Sequence, residues 1–335
     1  ATMKIKFTKY PGNPILKPKK GSFYSKYTAN PDLLYFNGKY YFFFRGQDSR
    51  GHDQIAVGFI PEKDFDGLSW IIPKNNPIIP VSQNPEAFDS GHVLDPAAIL
   101  IDNRIYVYYT AHCQGWKNWN IPSHVGLAVS DDGMTFKKID SNPIIMGMAP
   151  EVVQFKNQLY LFFQRINKNN RMHIYCCPSD DGTTFLEKNI KMVFTPSDDL
   201  NSFDAFSIST VRIWQEHDWF YLTYGGCVRF PDYPAAIGLA RSQDLIHWER
   251  YPDNPILERG LPGDWDEGAV WFATVHKHKG TYFLWYEGTG TGLTQNNPES
   301  KKKSLICRSE DYGGYGNFSF SQIGMATFRG KLSSW

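Results

Sequence analysis

The sequence predicts an all-β protein, a five-bladed β-propeller with four-stranded antiparallel blades around a central channel. Three observations lead to this fold class. An apolar segment that opens on Asn-Pro, Asp-Pro or a related pair is followed each time by an aromatic-rich strand. This pair of segments recurs at a spacing of roughly 55–65 residues, and no stretch of the chain shows convincing helical periodicity. Radial repetition of such units leaves only short, protected sheet edges.

The first two strands of each predicted blade form a hairpin. The opening strand starts at Asn30-Pro31, Asp95-Pro96 and Ala149-Pro150 in the clearest copies. Weaker copies start at Ser209 and Ala273. The second strand is the aromatic one, and it covers residues 41–44, 106–109, 160–163, 221–224 and 282–286. Aromatic and β-branched residues are enriched in strands, so each copy predicts a hairpin.

The second half of each blade is a third strand, a turn rich in Ser and Asp, and an aromatic residue. Residues 126–136 and 177–185 are typical copies, and their Asp-Gly pairs indicate hairpin turns. Four units adjoin an Asn-Pro-Ile motif, which begins at Asn13, Asn76, Asn142 and Asn254. We expect a single domain over residues 1–335, in which residues near the N-terminus pair with the C-terminal strand and close the ring.

Composition limits the classes of partner. Lys+Arg number 35 and Asp+Glu 34, a net charge of +1, so we expect no nucleic-acid or membrane partner. The five cysteines include no Cys-x-x-Cys pair, which argues against a disulfide framework and a zinc site. No recognisable leader begins the chain, so we expect a cytoplasmic location, or a periplasmic or secreted one if a leader was removed. An aromatic content of 16% favours a carbohydrate ligand, because aromatic rings stack on sugar faces.

Acidic residues occupy matching places in three repeats. Alignment on the aromatic strands puts Asn30, Asp95 and Ala149 at one position. Asp32, Ala97 and Glu151 share the position two residues on, which points the same way along a strand. We therefore expect Asp32, Asp95 and Glu151 to face the channel together. Carboxylates so arranged supply the acid and the base of glycoside hydrolysis. The structural alternative for each is a turn cap that ties one blade to the next.

Further residues are candidates for contact with a substrate. Arg45 and Arg165 end two aromatic strands, where they either reach the pocket or pair with acids. Asp89, Asp204 and Asp266 precede blades at matching places, as a repeated structural cap would. Trp116 and Trp119 are candidates for a sugar platform, with ordinary surface cover as the alternative. The full set of predicted substrate contacts is Asn30, Arg45, His92, Arg165, Asp204, Glu267 and Trp271. We predict no metal ligand set and no required cofactor.

These residues resemble the five-bladed β-propeller glycosidases, which are glycoside hydrolase family 43 and its relatives. Residues 29–35, Ala-Asn-Pro-Asp-Leu-Leu-Tyr, are similar to the first-blade motif of family 43, Ala-Asp-Pro-Asp-Ile-Ile-Tyr. The catalytic base of that family lies where this chain has Asn30. Asp95-Pro96 resembles the second-blade Asp-Pro that modulates a pKa. The acidic Glu of the third-blade motif is replaced by Met148.

Family 130, the mannoside phosphorylases and mannosidases, resembles blades one and three more closely. Its first blade opens on Asn-Pro and ends in Arg, similar to Asn30 and Arg45, and its third blade reads Pro-Glu, similar to Glu151. The second-blade Asp of that family donates a proton, which implies this role for Asp95. Ala97 replaces the Arg of its Asp-Pro-Arg motif, and loss of that cation favours water over phosphate as the attacking group. Families 32, 68 and 117 share the fold that the resemblance implies, and some relatives hold a channel calcium.

The resemblance implies an exo-acting glycoside hydrolase that works with inversion in a central pocket. Asp95 is then the general acid, and Glu151 or Asp32 is the base that activates water. The partner is an oligosaccharide or polysaccharide, whose sugar, linkage and anomer the sequence leaves open, together with the oligomeric state. The alternatives are a mannoside phosphorylase-like enzyme and a propeller that binds sugar without cleaving it.

Overall fold

The computed structural model describes residues 3–116, 121–228, 232–290 and 320–335. Within them the regular secondary structure is almost entirely strand, with short 3-10 helices at Glu62–Asp64, Glu187–Asn189 and Leu332–Ser334. The strands are β1 Thr8–Lys9, β2 Tyr27–Phe36, β3 Lys39–Gln47, β4 Asp53–Pro61, β5 His92–Ile101, β6 Arg104–His112, β7 His124–Ser130, β8 Lys137–Lys138, β9 Ile145–Met146, β10 Met148–Phe155, β11 Gln158–Ile166, β12 Met172–Ser179, β13 Lys191–Phe194, β14 Ser207–Glu216, β15 Trp219–Cys227, β16 Ala236–Ser242, β17 Glu249–Arg250, β18 Leu257–Glu258, β19 Ala269–His278, β20 Thr281–Gly290 and β21 Phe320–Arg329. The predicted all-β class is confirmed.

The chain forms two compact units. The N-half unit contains Pro18–Arg165 and Tyr175–Met192, and the C-half unit contains Ala1–Lys17, Ile166–Ile174 and Val193–Trp335. The single domain over residues 1–335, the closed ring and the number of blades stay predictions.

Antiparallel hairpins build the N-half unit as the sequence predicted. Strands β2, β3 and β4 pair in order, and so do β5, β6, β7 and β8. A single parallel bridge between Asp53 and His92 joins the two sets. Strands β10 and β11 form the next hairpin. Two clusters of buried apolar side chains, one centred on Phe43 and Tyr109 and the other on Tyr108 and Phe163, pack between these sheets.

The C-half unit contains two further antiparallel sheets. Strands β14, β15, β16 and β17 form one, with β18 paired beside β17 on β16. The other has the order β1-β21-β20-β19, in which Thr8 lies opposite Thr327. This pairing confirms the prediction that residues near the N-terminus share a blade with the C-terminal strand. The second half of the fifth predicted repeat, residues 307–318, lies outside the described residues.

Every opening strand carries a β-bulge at the same place. The register slips after Ala29, Leu94, Met148, Ser209 and Trp271. The next residue has a positive φ in each copy: Asn30 at 48°, Asp95 at 55°, Ala149 at 51°, Thr210 at 53° and Phe272 at 51°. Residues with side chains rarely adopt this conformation, and such bulges re-aim side chains next to active sites. The alignment of Asn30 with Asp95 and Ala149 is therefore confirmed. In the two weaker copies the positive-φ residue is one position away from the start chosen from the sequence: it is Thr210 rather than Ser209, and Phe272 rather than Ala273.

The Asn-Pro-Ile motifs are clamps on the third strands. The side chain of Asn142 accepts from the backbone N–H of Leu127 at 2.9 Å and donates to the carbonyl of the same residue at 3.0 Å. Asn76 does the same to Val57, Asn254 to Leu239 and Asn13 to Met325. One side chain thus bonds both backbone groups of a third-strand residue, whose partner within the sheet is the second strand.

The Ser-Asp turns also close in the same way. The hydroxyl of Ser130 donates to Asp132 Oδ1, which accepts from the backbone N–H groups of Met134 and Thr135 at 2.8 and 2.7 Å. Asp181 and Asp244 repeat this arrangement. The hydrogen bonds from Met134 and Thr135 outweigh partial burial and lower the pKa of Asp132.

Candidate functional site

A continuous hydrogen-bonded path joins three neighbouring opening strands of the N-half unit at their bulges. The backbone N–H of Asp95 donates to Asn30 Oδ1 at 3.2 Å. The hydroxyl of Thr110 donates to Asp95 Oδ2 at 2.7 Å, and the same hydroxyl oxygen accepts from the backbone N–H of Ala149 at 2.8 Å. The path fixes the starts of β2, β5 and β10 side by side, so residues two positions beyond Asn30 and Ala149 belong to one region.

The three predicted carboxylates lie in this region and are buried. Asp32 is 5% exposed, Asp95 7% and Glu151 5%. Asp32 Oδ2 accepts from the backbone N–H of Ala98 on the next opening strand at 2.7 Å. Glu151 Oε1 accepts from the N–H of its own neighbour Val152 at 2.9 Å. Asp32 therefore ties one blade to the next, which is the structural role that the sequence left open for it.

The bulge modifies the alternation on which the sequence argument relied. Because two residues on the bulged strand oppose one on its partner, Asn30 and Asp32 do not follow the simple two-residue period. Asn30 reaches the backbone of Asp95 and Asp32 the backbone of Ala98, three residues farther along β5. The bulge, rather than strand alternation, therefore sets how far along β5 each of these two side chains reaches.

Arg45 and Arg165 occupy different positions on their strands. Arg45 lies opposite Ala29, immediately before the bulge, whereas the residue opposite Met148 is Gln164. Arg165 is one residue later, so its side chain points to the other face of the sheet. There its guanidinium binds both carboxylate oxygens of Glu187 at 2.7 and 3.0 Å. Arg165 has the ion-pairing role that was the alternative to a substrate contact, and the buried Gln164 is the counterpart of Arg45.

A buried carboxylate that the sequence did not reveal organises the polar residues beside Asp95. Asp53, the first residue of β4, accepts from Tyr27 Oη at 2.8 Å and from His92 Nδ1 at 2.7 Å. Gln47 Nε2 donates to both of its oxygens at 3.2 Å, and Arg45 Nε lies 3.6 Å away. Burial favours a higher pKa for Asp53, but the charge of Arg45 and the hydrogen bond from His92 outweigh it and lower the pKa.

Two further rings continue this cluster. His92 lies opposite His112, and their ring centroids are 5.9 Å apart. His112 stacks on Trp116 with centroids 4.0 Å apart and planes 12° from parallel. Burial lowers the pKa of His112 to about 3, so its ring is neutral at physiological pH. Trp116 is half-buried and donates from Nε1 to the carbonyl of Ile121, whereas Trp119 lies outside the described residues.

The repeated Asp before the blades is a structural cap. Asp89 accepts from Tyr109 and pairs with Lys138 at 2.6 Å. Asp204 accepts from Tyr224 and from Arg250 Nε, each at 2.9 Å, and from the hydroxyl of Ser202. Asp266 likewise accepts from Tyr286 and from Lys9. All three are almost fully buried, which favours the cap over the substrate contact that was also predicted for Asp204.

The remaining predicted contacts belong to the C-half unit. Glu267 is buried and accepts from the backbone N–H of Gly263 at 2.9 Å. Trp271 is buried on β19, edge-on to Tyr233 with centroids 5.1 Å apart. Arg212 was not predicted, although it follows the bulge of β14 at the position that Asp32 and Glu151 hold in their strands. It is 2% exposed and lies over the Phe272 ring at 4.5 Å. A lone Arg in the apolar run 208–214 was the available signal.

An open groove of about 800 Å³ lies elsewhere in the N-half unit. Its lining includes Lys20, Phe23, Asp48, Arg50 and Gln54, and none of the predicted site residues. Asp48 and Arg50 pair with each other there. We place the candidate site at the carboxylates, because that region brings together groups that can exchange protons with a substrate.

Within the described ranges, no three His, Cys, Asp or Glu side chains cluster as metal ligands would. No helix in the same part of the chain is long and apolar enough to cross a membrane.

No family model and no curated protein sequence matches this chain. Several solved structures are similar. An N-acetylgalactosamine deacetylase from F. plautii, in complex with blood group B trisaccharide, has a TM-score of 0.70 at 17% identity, over 96% of this chain and 95% of that one. A β-1,2-mannobiose phosphorylase from Listeria innocua has a TM-score of 0.68 at 10% identity, over 96% of both chains. A thermostable family-43 glycoside hydrolase has a TM-score of 0.63 at 15% identity, over 91% of this chain and 90% of that one.

These likenesses extend over nearly the full length of each chain. They show that this chain shares the β-propeller fold of these structures.

Proposed function

With this propeller fold as the premise, we propose that the protein is a glycoside hydrolase built on five blades. The observation that carries the proposal is the path Asn30–Asp95–Thr110–Ala149, which holds three acid-bearing strands together at their bulges. Paired carboxylates in one buried region are what hydrolysis of a glycosidic bond requires. The similar structures, which include a glycoside hydrolase and a mannoside phosphorylase, support activity on glycosides.

Asp95 is the proposed general acid and Glu151 the proposed base. Asp95 sits at the bulge that re-aims its side chain, with Thr110 fixing one carboxylate oxygen. Asp32 is the weaker candidate for the base, because it uses one oxygen to hold the backbone of Ala98. We propose inversion, for which the acid and base carboxyls need to lie roughly 6.5–9.5 Å apart with a water between them. Action at chain ends is part of the same proposal.

The pairing of the arginines supports water rather than phosphate as the nucleophile. Each of the four arginines of the N-half unit forms an ion pair: Arg45 with Asp53, Arg50 with Asp48, Arg104 with Asp131 and Arg165 with Glu187. A phosphate site needs cations whose charge is available to the ligand. Ala97 follows the bulge of β5 and adds none.

The test is a screen of α- and β-linked disaccharides and oligosaccharides with three readouts. We expect new reducing ends without added phosphate, and no turnover by Asp95→Asn. A phosphate requirement with release of a sugar 1-phosphate would establish the phosphorylase instead. Acetate release is measured because one similar structure is a deacetylase. Sugar binding without any of the three products would identify a non-catalytic propeller.

The remaining properties are proposals of the same kind. We propose an oligosaccharide or polysaccharide as the partner, no cofactor and a cytoplasmic location. Turnover that survives dialysis against EDTA would support metal-independent action, and loss of turnover that calcium restores would contradict it. Cys113, Cys176, Cys177 and Cys227 are all free thiols, which supports a reducing compartment.

A further inference from the structure

His92 presents one ring nitrogen to the site while the other is held in place. Its Nδ1 lies 2.7 Å from Asp53 Oδ2. Asp53 is a buried carboxylate that also accepts hydrogen bonds from Tyr27 and Gln47 and lies 3.6 Å from Arg45 Nε, so it is a fixed acceptor. An ionised carboxylate can only accept, which places the ring proton on Nδ1 and makes Nε2 an acceptor in the neutral ring.

The free edge of this ring is accessible. The side chain of His92 is 27% exposed, whereas that of Asp53 is 6% exposed. Within the described residues, Nε2 of His92 makes no hydrogen bond. A ring locked on one side by a buried carboxylate and open on the other is prepared to bind a ligand at little conformational cost.

The register places this ring on the same side of the sheet as the path to Asp95. His92 lies opposite His112, and Leu94 lies opposite Thr110. Directly opposite residues share a face, and so do residues two apart, so His92, His112 and Thr110 point the same way. Thr110 holds the Asp95 carboxylate. The two histidine rings therefore lie two residues, about 7 Å, along the strands from Thr110, the residue that touches the proposed acid.

Charge balance favours a neutral ligand. The carboxylate of Asp53 and the guanidinium of Arg45 compensate each other at 3.6 Å. The burial of His112 keeps that ring uncharged, and Trp116 stacks on it as a flat apolar surface. An acceptor nitrogen beside neutral aromatic rings suits a sugar hydroxyl and the adjacent C–H face.

We propose that His92 binds a hydroxyl of a neutral sugar through Nε2 in a subsite next to Asp95, with Asp53 as the residue that positions the ring. This inference rests on the proposed function and names the sugar class and the subsite that accompany it. Trp116 forms the apolar side of the same subsite.

The direct test is NMR of the whole protein labelled with ¹⁵N-histidine. We expect the His92 Nε2 signal to move on addition of at least one of D-mannose, D-galactose, D-xylose, L-arabinose or N-acetyl-D-galactosamine at tens of millimolar. His247 is the matched control, since its Nδ1 also bonds an Asp, Asp244, at 2.6 Å on an exposed turn. Its signal should stay in place. An unmoved His92 signal with every sugar overturns the proposal, and movement with D-galacturonate alone overturns the neutral class.

Variants separate positioning from folding. His92→Asn keeps an N–H donor near Asp53 but removes the acceptor nitrogen at the Nε2 position. We expect about tenfold weaker sugar binding, which is the effect of one hydrogen bond. His247→Asn should bind as the wild type does. Asp53→Asn should leave His92 in mixed tautomers, which the ¹⁵N shifts report. Unchanged binding by His92→Asn overturns the proposal. Should these variants fail to fold, the wild-type titration decides alone.

The outcomes distinguish this proposal from the hydrolase. A sugar-dependent His92 signal in a protein that cleaves no glycan retains the subsite and removes the hydrolase. Cleavage with the same KM and kcat in wild type and His92→Asn retains the hydrolase and removes the subsite.

Discussion

Replacement of Thr110 by Val removes the hydroxyl that joins the Asp95 side chain on β5 to the backbone of Ala149 on β10. This hydroxyl is almost fully buried, donates to Asp95 Oδ2 at 2.7 Å and accepts from the N–H of Ala149 at 2.8 Å. Loss of a hydrogen bond to a carboxylate costs about 1.5–3 kcal/mol, and a buried N–H left without its acceptor costs about 1–3 kcal/mol. Val keeps the volume of Thr, so no cavity opens. We expect the free energy of unfolding to fall by about 4 kcal/mol.

The assays are thermal unfolding and turnover of the substrate found by the screen. A loss of this size corresponds to a fall of roughly 8–16 °C in the first unfolding transition. Turnover at low temperature, where the variant is folded, should fall as well because Asp95 is no longer held. Thr110→Ser should retain both properties. Thr223→Val is the matched control, since this buried hydroxyl makes one short bond, to the carbonyl of Ala273 at 2.6 Å, and should cost about 1 kcal/mol. Wild-type stability and turnover in Thr110→Val would refute the reasoning.

Three further predictions concern groups outside the proposed reaction. The pKa of His112 is lowered to about 3, so between pH 3 and 6.5 the unfolded state binds a proton that the folded state does not. The free energy of unfolding should therefore fall by up to about 1.4 kcal/mol per pH unit below pH 6.5. Urea unfolding from pH 4 to 8 should show that this free energy depends less on pH in His112→Gln than in the wild type. Asn142→Ala removes both hydrogen bonds to Leu127, so the free energy of unfolding in urea should fall by about 2 kcal/mol while KM stays unchanged. A urea midpoint equal to that of the wild type would contradict the clamp. Asp204→Asn weakens a part-buried ion pair with Arg250 and should cost about 1.5–3 kcal/mol while the folded fraction keeps its KM. A raised KM at full stability would restore Asp204 as a substrate contact.

The repeat pattern carried the fold prediction because its signals are local. Asn-Pro and Asp-Pro mark a bulge that recurs in each opening strand, and the aromatic strands give its partner. Alignment of Asn30, Asp95 and Ala149 was therefore correct, and all three have a positive φ. The clamp of Asn142 on Leu127 explains the Asn-Pro-Ile motif physically, although the sequence showed only its recurrence.

The site was less accessible to sequence reasoning because its contacts are not local. Asp53 and His92 are 39 residues apart in sequence and meet through one parallel bridge between their strands. No sequence pattern predicts this contact. Thr110 directly follows the aromatic residues 106–109, and no motif marks it. Arg165 was paired with Arg45 by its place at a strand end, but a shift of one residue reverses the face of a side chain. The register of the paired strands decides which face such a side chain occupies, and the sequence does not fix that register to within one residue.

Asp95 and Glu151 are proposed to act on the same bond, and a double-mutant cycle on kcat/KM tests this most directly. We expect Asp95→Asn and Glu151→Gln each to lower kcat/KM by about 10²–10⁴-fold, and the double variant to be about as slow as the slower single one, because an acid and a base that act together are not additive. Effects that multiply fully, or full turnover in either single variant, would contradict a shared catalytic site.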